Sequence, residues 1–350
     1  MEESNFISSY NDPILITGSN GFIGHKVVET LLSYGFKNLR CFVRSSKNIS
    51  SLKQVIAPFD KARVEIFEGN LLSAEDCKKA TKHVRVLFHL AAGTEKSFAG
   101  CYMNSVVTTK NLLESILRNK TFKRFVNVSS ITVYSNKNLN RNKLLDEECE
   151  IDSNIIGRGE AYSWGKIMQD QMVIDYNKKF NIPYVIVRPG VVYGPGKKRI
   201  LGLVGIDTFG FFIHIGGSNI FPLTYIENCA EAIVLAGIKK GIEGEVFNIV
   251  DDELPTCRSF LKMYKKSVGN FFSIYMPYCF FYFFCYLWEK YSKWSNGQIP
   301  PVFNRHVCAI GYKGTRYTNQ KLKNLLDWKP KVSFNQASKK YFDYVKNGDN

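Results

Sequence analysis

The feature that most constrains the fold lies near the start of the chain, in the segment ILITGSNGFIGHKVVETLLSYG. A short apolar strand, Ile14–Thr17, runs directly into a loop with glycines at positions 18, 21 and 24, and an amphipathic helix follows. Glycines here allow a tight turn and a close approach of the backbone to a phosphate group, which the N-terminal amides of the helix can then bind. Because a glycine triplet alone is a weak signal, the strand before it and the helix after it carry the interpretation. The segment predicts a dinucleotide-binding turn, with a purely structural glycine turn as the alternative.

The first half of the chain alternates between short β-branched runs and amphipathic stretches. We expect strands at 14–17, 39–43, 64–67, 86–90, 125–128 and 184–187. We expect helices at 25–34, 74–83, 104–119 and 161–179. Apolar strands separated by helices are typical of a parallel sheet covered on both faces. The pattern predicts a doubly wound α/β fold with a parallel Rossmann sheet.

The composition of the sequence changes after residue 193, where segments rich in glycine and aromatic residues predict long loops. We therefore expect a dinucleotide-binding domain over 1–193, to which a strand near 244–250 returns. Residues 194–243 and 251–350 would form a smaller C-terminal substrate lobe. Such a lobe would lie over the carboxyl ends of the strands, where ligands bind in open α/β sheets.

Charge and cysteine content argue against several classes of protein. The formal net charge is +16, but the basic residues are spread along the chain and no nucleic-acid motif accompanies them, so we expect no nucleic acid partner. A generally basic surface, phosphate-bearing ligands and an anionic membrane face remain as explanations. The nine cysteines form no CxxC pair, which argues against a metal site and against a disulfide framework. Reduced thiols and an acidic, polar N-terminus favour a cytoplasmic protein without a signal peptide.

The end of the second expected strand bears on the choice of dinucleotide. The sequence there is RCFVRSSKN, which has no acidic residue and places Arg44 directly after the strand. A carboxylate at this point favours NAD, because it accepts hydrogen bonds from the adenosine ribose, whereas an arginine can hold the 2′-phosphate of NADP. The residues favour NADP over NAD, with a solvated surface arginine as the alternative.

A tyrosine and a lysine lie four residues apart in the segment EAYSWGK, at the start of an expected helix. Residues at this spacing share one face of a helix, so the ammonium group of Lys166 would lie beside the phenol of Tyr162. A nearby ammonium favours the phenolate and thereby suits the phenol to proton transfer. Taken alone, the pair is equally well explained as a surface contact.

With the segments LFHLAAG and RFVNVSSITVY, the glycine loop and the Tyr–Lys pair make the chain resemble the extended short-chain dehydrogenase/reductases (the NAD(P)-dependent epimerase/dehydratase family) over essentially its whole length. Further matching segments are NSVVTTKNLLES, VRPGVVYGPG, TYIENCAEAIVLA and LLDWKP. The segment NIFPLTYIENCAEAIVLA is most similar to the hydroxysteroid dehydrogenase and dihydroflavonol reductase branch.

The resemblance implies that Ser130, Tyr162 and Lys166 form the catalytic set. Tyr162 would exchange a proton with the substrate oxygen, Lys166 would tune the phenol and contact the nicotinamide ribose, and Ser130 would hydrogen-bond the developing oxyanion. Ser129 is the alternative hydroxyl. The residues expected to bind the cofactor are Gly18, Asn20, Gly21, Phe22, Ile23, Gly24, Arg44, Asn70, Leu71, Leu90, Ala91, Ala92, Ser129, Tyr162, Lys166 and Pro189.

Three positions depart from the family pattern. Asn70 stands where many members have Asp, so a neutral amide would contact the adenine. Nucleotide-sugar members usually hold the diphosphate with an Asn and an Arg, and the corresponding residues here are Val191 and Phe221. We therefore expect NAD(P)-dependent interconversion of a secondary alcohol and a ketone, on a small apolar or lipid-linked substrate. The alternatives are a nucleotide-sugar epimerase or dehydratase with tightly bound NAD(P), and a binding protein that senses the cofactor without catalysis.

The stretch FFSIYMPYCFFYFFCYLW (271–288) has eighteen residues, eleven of them aromatic, and no charge. It can be interpreted as a pocket lid or lobe core, as a contact with the inner face of the membrane, or as a membrane span that Pro277 interrupts. The segment GKKR (196–199) is either a phosphate-binding loop or an exposed basic loop. For assembly, the family resemblance implies a homodimer.

Overall fold

The computed structural model describes residues 5–95, 97–135, 142–153, 160–197, 200–208, 210–295, 298–299, 303–312 and 314–348. In chain order the strands are β1 (Ile14–Thr17), β2 (Asn38–Val43), β3 (Arg63–Glu68), β4 (Val86–His89), β5 (Arg124–Val128), β6 (Leu144–Leu145), β7 (Tyr184–Pro189), β8 (Val191–Tyr193), β9 (Gly205–Thr208), β10 (Phe211–His214), β11 (Leu223–Tyr225), β12 (Val246–Ile249), β13 (Ser273–Tyr275) and β14 (Arg316–Tyr317). The helices are α1 (Gly24–Ser33), α2 (Ser50–Ile56), α3 (Ala74–Ala80), α4 (Phe98–Cys101), α5 (Thr108–Ile116), α6 (Ala161–Phe180), α7 (Ile226–Ile238), α8 (Cys257–Ser267), α9 (Tyr278–Trp294), α10 (Arg305–Tyr312), α11 (Gln320–Leu326) and α12 (Phe334–Gly348).

A seven-stranded parallel sheet forms the centre of the molecule, in the order β12-β7-β5-β4-β1-β2-β3. Strands β2 and β3 lie on one side of β1, and β4, β5, β7 and β12 lie on the other side. The strand order therefore reverses between β1 and β4. In sheets of this kind a crevice opens at the carboxyl ends of the two strands that flank the reversal. The doubly wound fold predicted from the sequence is confirmed, and its topology places the site at the ends of β1 and β4.

The strands are buried on both faces because their side chains alternate between two apolar layers. Ile14 and Ile16 of β1 point into a core that contains helices α1 and α7, whereas Leu15 points into a core formed with α3, α5 and α6. All three side chains are fully buried. This double burial explains why the strands read as continuous apolar runs rather than as alternating ones.

The later part of the chain contributes one strand to the sheet and a separate apolar cluster. Strand β12 pairs in parallel with β7, with Val246 opposite Ile186, as expected for the returning strand. The separate cluster contains Tyr193, Phe260 and Tyr341 and joins α8 and α12 to the loops around β8 and β11. The division of the chain at residue 193 stays a prediction.

Candidate active site

A cleft of about 980 Å³ opens at the carboxyl ends of β1, β4, β5 and β7. Its lining begins at Gly18 of the glycine loop, passes Ser130, Tyr162 and Lys166, and continues to Phe221 in the later part of the chain. The single cavity therefore brings the expected cofactor loop and the expected catalytic set together.

The glycine loop is packed too closely for side chains. Gly18 has a φ of +68°, and a Cβ atom there would lie 2.9 Å from the amide nitrogen of Ala91. A Cβ on Gly24 would lie 2.0 Å from the carbonyl oxygen of Gly18, well inside van der Waals contact. The two glycines thus permit the first turn of α1 to lie directly against the loop that follows β1.

The N-terminus of α1 faces the cavity, since Gly21, Phe22, Ile23 and Gly24 all line it. Among the described residues, α1 has neither a capping side chain at Ile23 nor an acid in its first turn. Its amide groups and the positive end of its dipole are therefore available to an anion. A backbone cradle with these properties fits the pyrophosphate of a dinucleotide.

Replacing Gly24 with alanine should weaken cofactor binding and destabilise the protein, because the new methyl group collides with backbone atoms that cannot rotate away. We expect a loss of about 1–3 kcal/mol in the free energy of unfolding, measured by urea denaturation. Gly269→Ala is the matched control, because its Cβ would meet no described atom within 4 Å. A Gly24→Ala variant with unchanged stability and cofactor affinity would contradict this account of the loop.

The catalytic set expected from the sequence lies at the junction of β5 and α6. Ser130 follows the end of β5, and its Oγ accepts a hydrogen bond of 3.1 Å from Thr132 Oγ1. Tyr162 and Lys166 lie one turn apart at the start of α6. A hydrogen bond between Ser130 and the Tyr162 phenol lowers the pKa of that phenol, although burial dominates and the net direction is upward. Ser130 is thus the serine that contacts the tyrosine.

The neighbouring serine has a different role. The Ser129 hydroxyl donates a hydrogen bond of 2.9 Å to Oδ2 of Asp170 and is buried. Since its hydrogen atom is committed to a carboxylate, the geometry favours Ser130 over Ser129 as the hydroxyl that can bind a substrate oxygen.

The ammonium group of Lys166 was expected beside the phenol of Tyr162, and the structure buries it against the end of β5. Its Nζ donates a hydrogen bond of 2.6 Å to the carbonyl oxygen of Val128. Burial lowers the pKa of Lys166 from its ordinary value of 10.5 to about 8, against the opposing effect of Asp170. Burial raises the pKa of Tyr162 against the opposing effect of the Ser130 hydrogen bond, and Lys166 is not among the causes of the shift, contrary to the expectation that its ammonium group would favour the phenolate.

A buried polar network beneath the site was missed by the sequence interpretation. Asp170 accepts hydrogen bonds from Asn127, Ser129 and Arg188, and the Arg188–Asp170 pair is 94% buried on both sides at an N–O distance of 3.1 Å. The guanidinium of Arg188 also lies over the ring of Tyr134, 4.8 Å from its centroid. The signal was present, because Asp170 follows Lys166 by four residues and therefore lies on the same face of α6. The network ties β5, β7 and α6 together under the catalytic set.

His89 lies close to the site but cannot act as its acid or base. Its ring is fully buried between Thr17 and Thr109, whose hydroxyl oxygens lie 2.8 and 3.0 Å from the two ring nitrogens. Burial, with a smaller contribution from Lys166, lowers the pKa of His89 to about 3. The imidazole is neutral at physiological pH and lies behind the cavity wall.

The other expected cofactor residues lie in two groups. Those that line the cavity beside the glycine loop and the ends of β4 and β7 are Leu90, Ala92 and Pro189. Ala91 packs against Gly18. The amide of Ala91 also donates a hydrogen bond of 3.4 Å to Thr17 Oγ1. The cavity lining that the structure describes does not include Asn20, Arg44, Asn70 and Leu71.

Two of these residues, Arg44 and Asn70, were expected to contact the adenosine part of the cofactor. Arg44 is exposed directly after the end of β2, and Asn70 is exposed after β3. The Asn70 side chain is engaged locally, since its Oδ1 accepts a hydrogen bond of 3.0 Å from the amide of Leu72. Arg44 follows β2, the neighbour of β1, and Asn70 follows β3, the next strand out, so both lie on the side of the cofactor loop opposite β4.

The part of the cavity lining contributed by residues 191–317 is mainly apolar, and its polar members among the described residues are Lys197, Asn219 and Tyr317. Val191 and Phe221 belong to it, and Phe221 packs edge-on against Phe260. Among the described lining residues the cationic side chains are Lys166 and Lys197. Lys197 Nζ lies 5.8 Å from the ring centroid of Phe22, on the cofactor side. Of the segment GKKR, residues 198 and 199 lie outside the described residues.

The sequence profile of the NAD dependent epimerase/dehydratase family matches residues 14–250 of this chain. The chain belongs to that family. Its members are enzymes of the extended short-chain dehydrogenase/reductase type, and the expected resemblance, enzymatic character and use of a nicotinamide dinucleotide are confirmed. The alternative of a binding protein that senses the cofactor without catalysis is thereby set aside.

Individual relatives of this family member differ in chemistry. A mouse (Mus musculus) sterol-4-alpha-carboxylate 3-dehydrogenase, decarboxylating, is 24% identical over 92% of this chain and 88% of the relative. A dTDP-D-glucose 4,6-dehydratase from Dictyostelium discoideum is 26% identical over 96% of this chain and 82% of the relative. Among solved structures, UDP-glucuronic acid 4-epimerase from Bacillus cereus in complex with NAD superposes with a TM-score of 0.71 at 23% identity, covering 96% of this chain and 99% of the epimerase. An oxidoreductase or epimerase role therefore follows, and the substrate class is left to the site.

Proposed function

We propose that this family member interconverts a secondary alcohol and a ketone with net turnover of NAD(P)(H), and that Tyr162 is its proton donor and acceptor. The observation that carries the proposal is the continuous cavity that joins the glycine loop to Ser130 and Tyr162 and ends in an apolar chamber. A phenol, a serine hydroxyl and a buried ammonium group between a cofactor loop and such a chamber suit the reduction of a carbonyl group or its reverse.

Different residues of the chain would bind the cofactor and carry out the proton transfer. The glycine loop and the first turn of α1 would bind the pyrophosphate, and Lys166 would hold the nicotinamide ribose. The bound dinucleotide supplies or accepts a hydride. Ser130 would hydrogen-bond the substrate oxygen, and Tyr162 would give that oxygen a proton during reduction or remove it during oxidation. Ser129 and Asp170 would keep the end of β5 in position, since their hydrogen bond joins it to α6.

The direction of the Tyr162 pKa shift bears on the role of the phenol. Because burial raises this pKa, the phenol is protonated at neutral pH and is prepared to act as an acid. We therefore expect ketone reduction to proceed at neutral pH and alcohol oxidation to accelerate as the pH rises.

Apolar contacts favour an apolar or lipid-linked substrate over a nucleotide sugar. Val191 and Phe221, which stand where nucleotide-sugar enzymes carry diphosphate-binding residues, both line the chamber. A buried diphosphate needs cationic or amide partners, because an unpaired buried charge is costly, and residues 191–317 contribute only Lys197 and Asn219 of these kinds to the described lining. The similarity to a sterol-4-alpha-carboxylate 3-dehydrogenase supports this choice. We place the enzyme in the cytoplasm at the inner face of the membrane, and a homodimer remains a prediction from the family resemblance.

A nucleotide-sugar epimerase or dehydratase is the second candidate, favoured by the similarity to the dTDP-D-glucose 4,6-dehydratase and to the UDP-glucuronic acid 4-epimerase. Such an enzyme returns the hydride to the same substrate and retains its cofactor. The two functions therefore differ in cofactor stoichiometry.

The deciding experiment measures NAD(P)H formed or consumed per substrate converted. Panels of apolar secondary alcohols and of nucleotide sugars would be followed by absorbance and by mass spectrometry of the products. We expect one cofactor oxidised or reduced for each alcohol or ketone converted. Conversion of a nucleotide sugar without net change in the cofactor would establish the second candidate instead.

Arg44 is proposed to set the preference for NADP(H). Replacing Arg44 with Asp puts a negative charge beside the expected 2′-phosphate, so the Kd for NADP(H) should rise about 10–100-fold while that for NAD(H) changes little. Lys47→Asp is the matched control, because Lys47 is an exposed cation three residues further along the same loop. Fluorescence titrations of both variants with both cofactors provide the measurement. Equal losses for the two cofactors would show that Arg44 does not read the phosphate.

A further inference from the structure

Helix α9 is attached to the rest of the protein along one narrow stripe. Phe281, Cys285 and Ser292 are buried, at 3%, 0% and 6% exposure, and their spacing of four and seven residues places them on one face. Phe281 and Cys285 contact Cys308 of helix α10 in a small apolar cluster. The remaining circumference of the helix faces outward.

The outward side carries a second stripe that is almost entirely apolar. We call it the α9 stripe, and its members with their exposed fractions are Phe280 (65%), Phe283 (60%), Phe284 (40%), Leu287 (49%), Tyr291 (49%) and Trp294 (77%). Their spacing of three or four residues keeps them on one side of the helix. Phe272 (66%) and Ile274 (47%), shortly before the helix, are exposed as well. An apolar surface of this extent marks an interaction site rather than ordinary surface variation.

The structure does not use this segment as the lid of the cavity. Of the described residues that line the cavity, none belongs to 271–288. In the described part of the chain, no helix is long and apolar enough to cross a membrane. The two remaining uses for the α9 stripe are contact with another protein and contact with the surface of a bilayer.

The charge around the stripe indicates what its partner must be. Helix α9 itself carries two lysines, Lys290 and Lys293, and one acid, Glu289. That acid is already paired with Arg305 at 2.9 Å. Lys290 and Lys293 are exposed on the flank of the helix that lies next to the stripe. Two copies of so basic a face would repel each other, whereas anionic headgroups would attract it.

We propose that the α9 stripe docks the enzyme onto an anionic lipid surface, with its aromatic side chains at the level of the headgroups and Lys290 and Lys293 on the phosphates. Amphipathic helices with aromatic residues on one face and lysines beside them bind bilayers in this orientation. The inference rests on the proposed function for its purpose, which is access to an apolar or lipid-linked alcohol.

The position of the stripe relative to the cavity supports that purpose. Helix α10, which packs against the buried side of α9, contributes Ile310 and Gly311 to the cavity lining. One helix therefore separates the docking surface from the apolar chamber. A substrate that partitions into the bilayer would be released close to the cavity.

Flotation with vesicles tests the docking surface without substrate or cofactor. The probes are vesicles of phosphatidylcholine alone and of phosphatidylcholine with phosphatidylglycerol, each at low and high salt. We expect the full chain to float with the anionic vesicles and to be released in part by salt. The triple variant Phe280→Ser, Phe283→Ser, Leu287→Ser should lose about tenfold or more of this partitioning. Lys290→Gln with Lys293→Gln should lose roughly fivefold per lysine at low salt and little at high salt.

The matched control changes three exposed apolar residues elsewhere, Leu117→Ser, Phe180→Ser and Leu325→Ser, whose exposures are 39%, 43% and 40%. This control should float like the unchanged protein. Thermal unfolding of every variant verifies that it is folded. In addition, lipids with brominated acyl chains should quench the tryptophan fluorescence of the protein, and this quenching should decrease in Trp294→Phe.

Three results would overturn the proposal. The first is absence of flotation of the unchanged protein with either kind of vesicle. The second is flotation that the folded triple variant retains in full. The third is a dimer, observed by sedimentation, that the triple variant converts to a monomer while neither floats, which would make the stripe an interface between two copies. Because flotation needs no turnover, a protein that docks but oxidises no alcohol would leave the docking intact and reject the proposed function.

Discussion

Tyr162→Phe should lower kcat by about 10²–10⁴-fold while leaving the affinity for NAD(P)(H) nearly unchanged. The substitution removes only the hydroxyl group that exchanges a proton with the substrate oxygen. The ring stays in place, so the shape of the cavity and its cofactor contacts are preserved. Steady-state kinetics in both directions, combined with a cofactor titration, separate the loss of turnover from a loss of binding.

Tyr317→Phe is the matched control, because it removes a phenolic hydroxyl from another residue that lines the same cavity. We expect this variant to keep most of its activity. The pH dependence provides a second readout, since the raised pKa of Tyr162 predicts that alcohol oxidation rises toward alkaline pH. Near-normal turnover by Tyr162→Phe would reject the proposed mechanism outright.

Lys166→Met should lower both turnover and cofactor affinity, and it should also make the protein more stable at neutral pH. The folded state lowers the pKa of Lys166 from 10.5 to about 8, so at pH 7 a charged ammonium is held in a buried site at a cost to stability. A shift of this size corresponds to roughly 3 kcal/mol. The hydrogen bond to the carbonyl of Val128 is lost in the variant and offsets part of it, so we expect a net gain of about 1–2 kcal/mol.

The sign of this effect determines its pH dependence. Between pH 8 and 10.5 the unfolded chain binds more protons at this lysine than the folded protein does, so the unchanged protein gains stability as the pH rises through that window. The advantage of Lys166→Met should therefore shrink between pH 7 and 10, as measured by urea denaturation at both values. A variant that is less stable than the unchanged protein at pH 7 would show that the buried ammonium is well compensated. A stabilised but inactive variant would place Lys166 among residues whose burial serves function rather than folding.

Much of the cofactor half of the site could be predicted because its signals are local. The strand, the glycines and the helix that follow one another from Ile14 to Ser33 depend on backbone conformation and on short-range periodicity. That Tyr162 and Lys166 share one face of α6 depends only on helical spacing. The later strands β8 to β11 escaped prediction because each has only three or four residues, and because β8 pairs with the distant β11 and β10 with the distant β13.

The roles of the two serines and the position of the lysine ammonium depend on contacts between helices and strands that the sequence does not show. Ser129 and Ser130 are equivalent in the sequence, and only the packing of α6 against β5 assigns one hydroxyl to Asp170 and leaves the other beside Tyr162. The same packing sends the ammonium of Lys166 to the carbonyl of Val128 and buries it.

The aromatic segment 271–288 shows the same division most clearly. Its sequence leaves a pocket lid or lobe core, a membrane contact and a membrane span open, because a buried helix and a docking helix have the same composition. Only the tertiary structure decides between them, because α10 covers one stripe of α9 and leaves the stripe that contains Phe280 and Trp294 in solvent. Periodicity in a sequence specifies which residues share a face of a helix, whereas the burial of that face depends on elements far away in the chain.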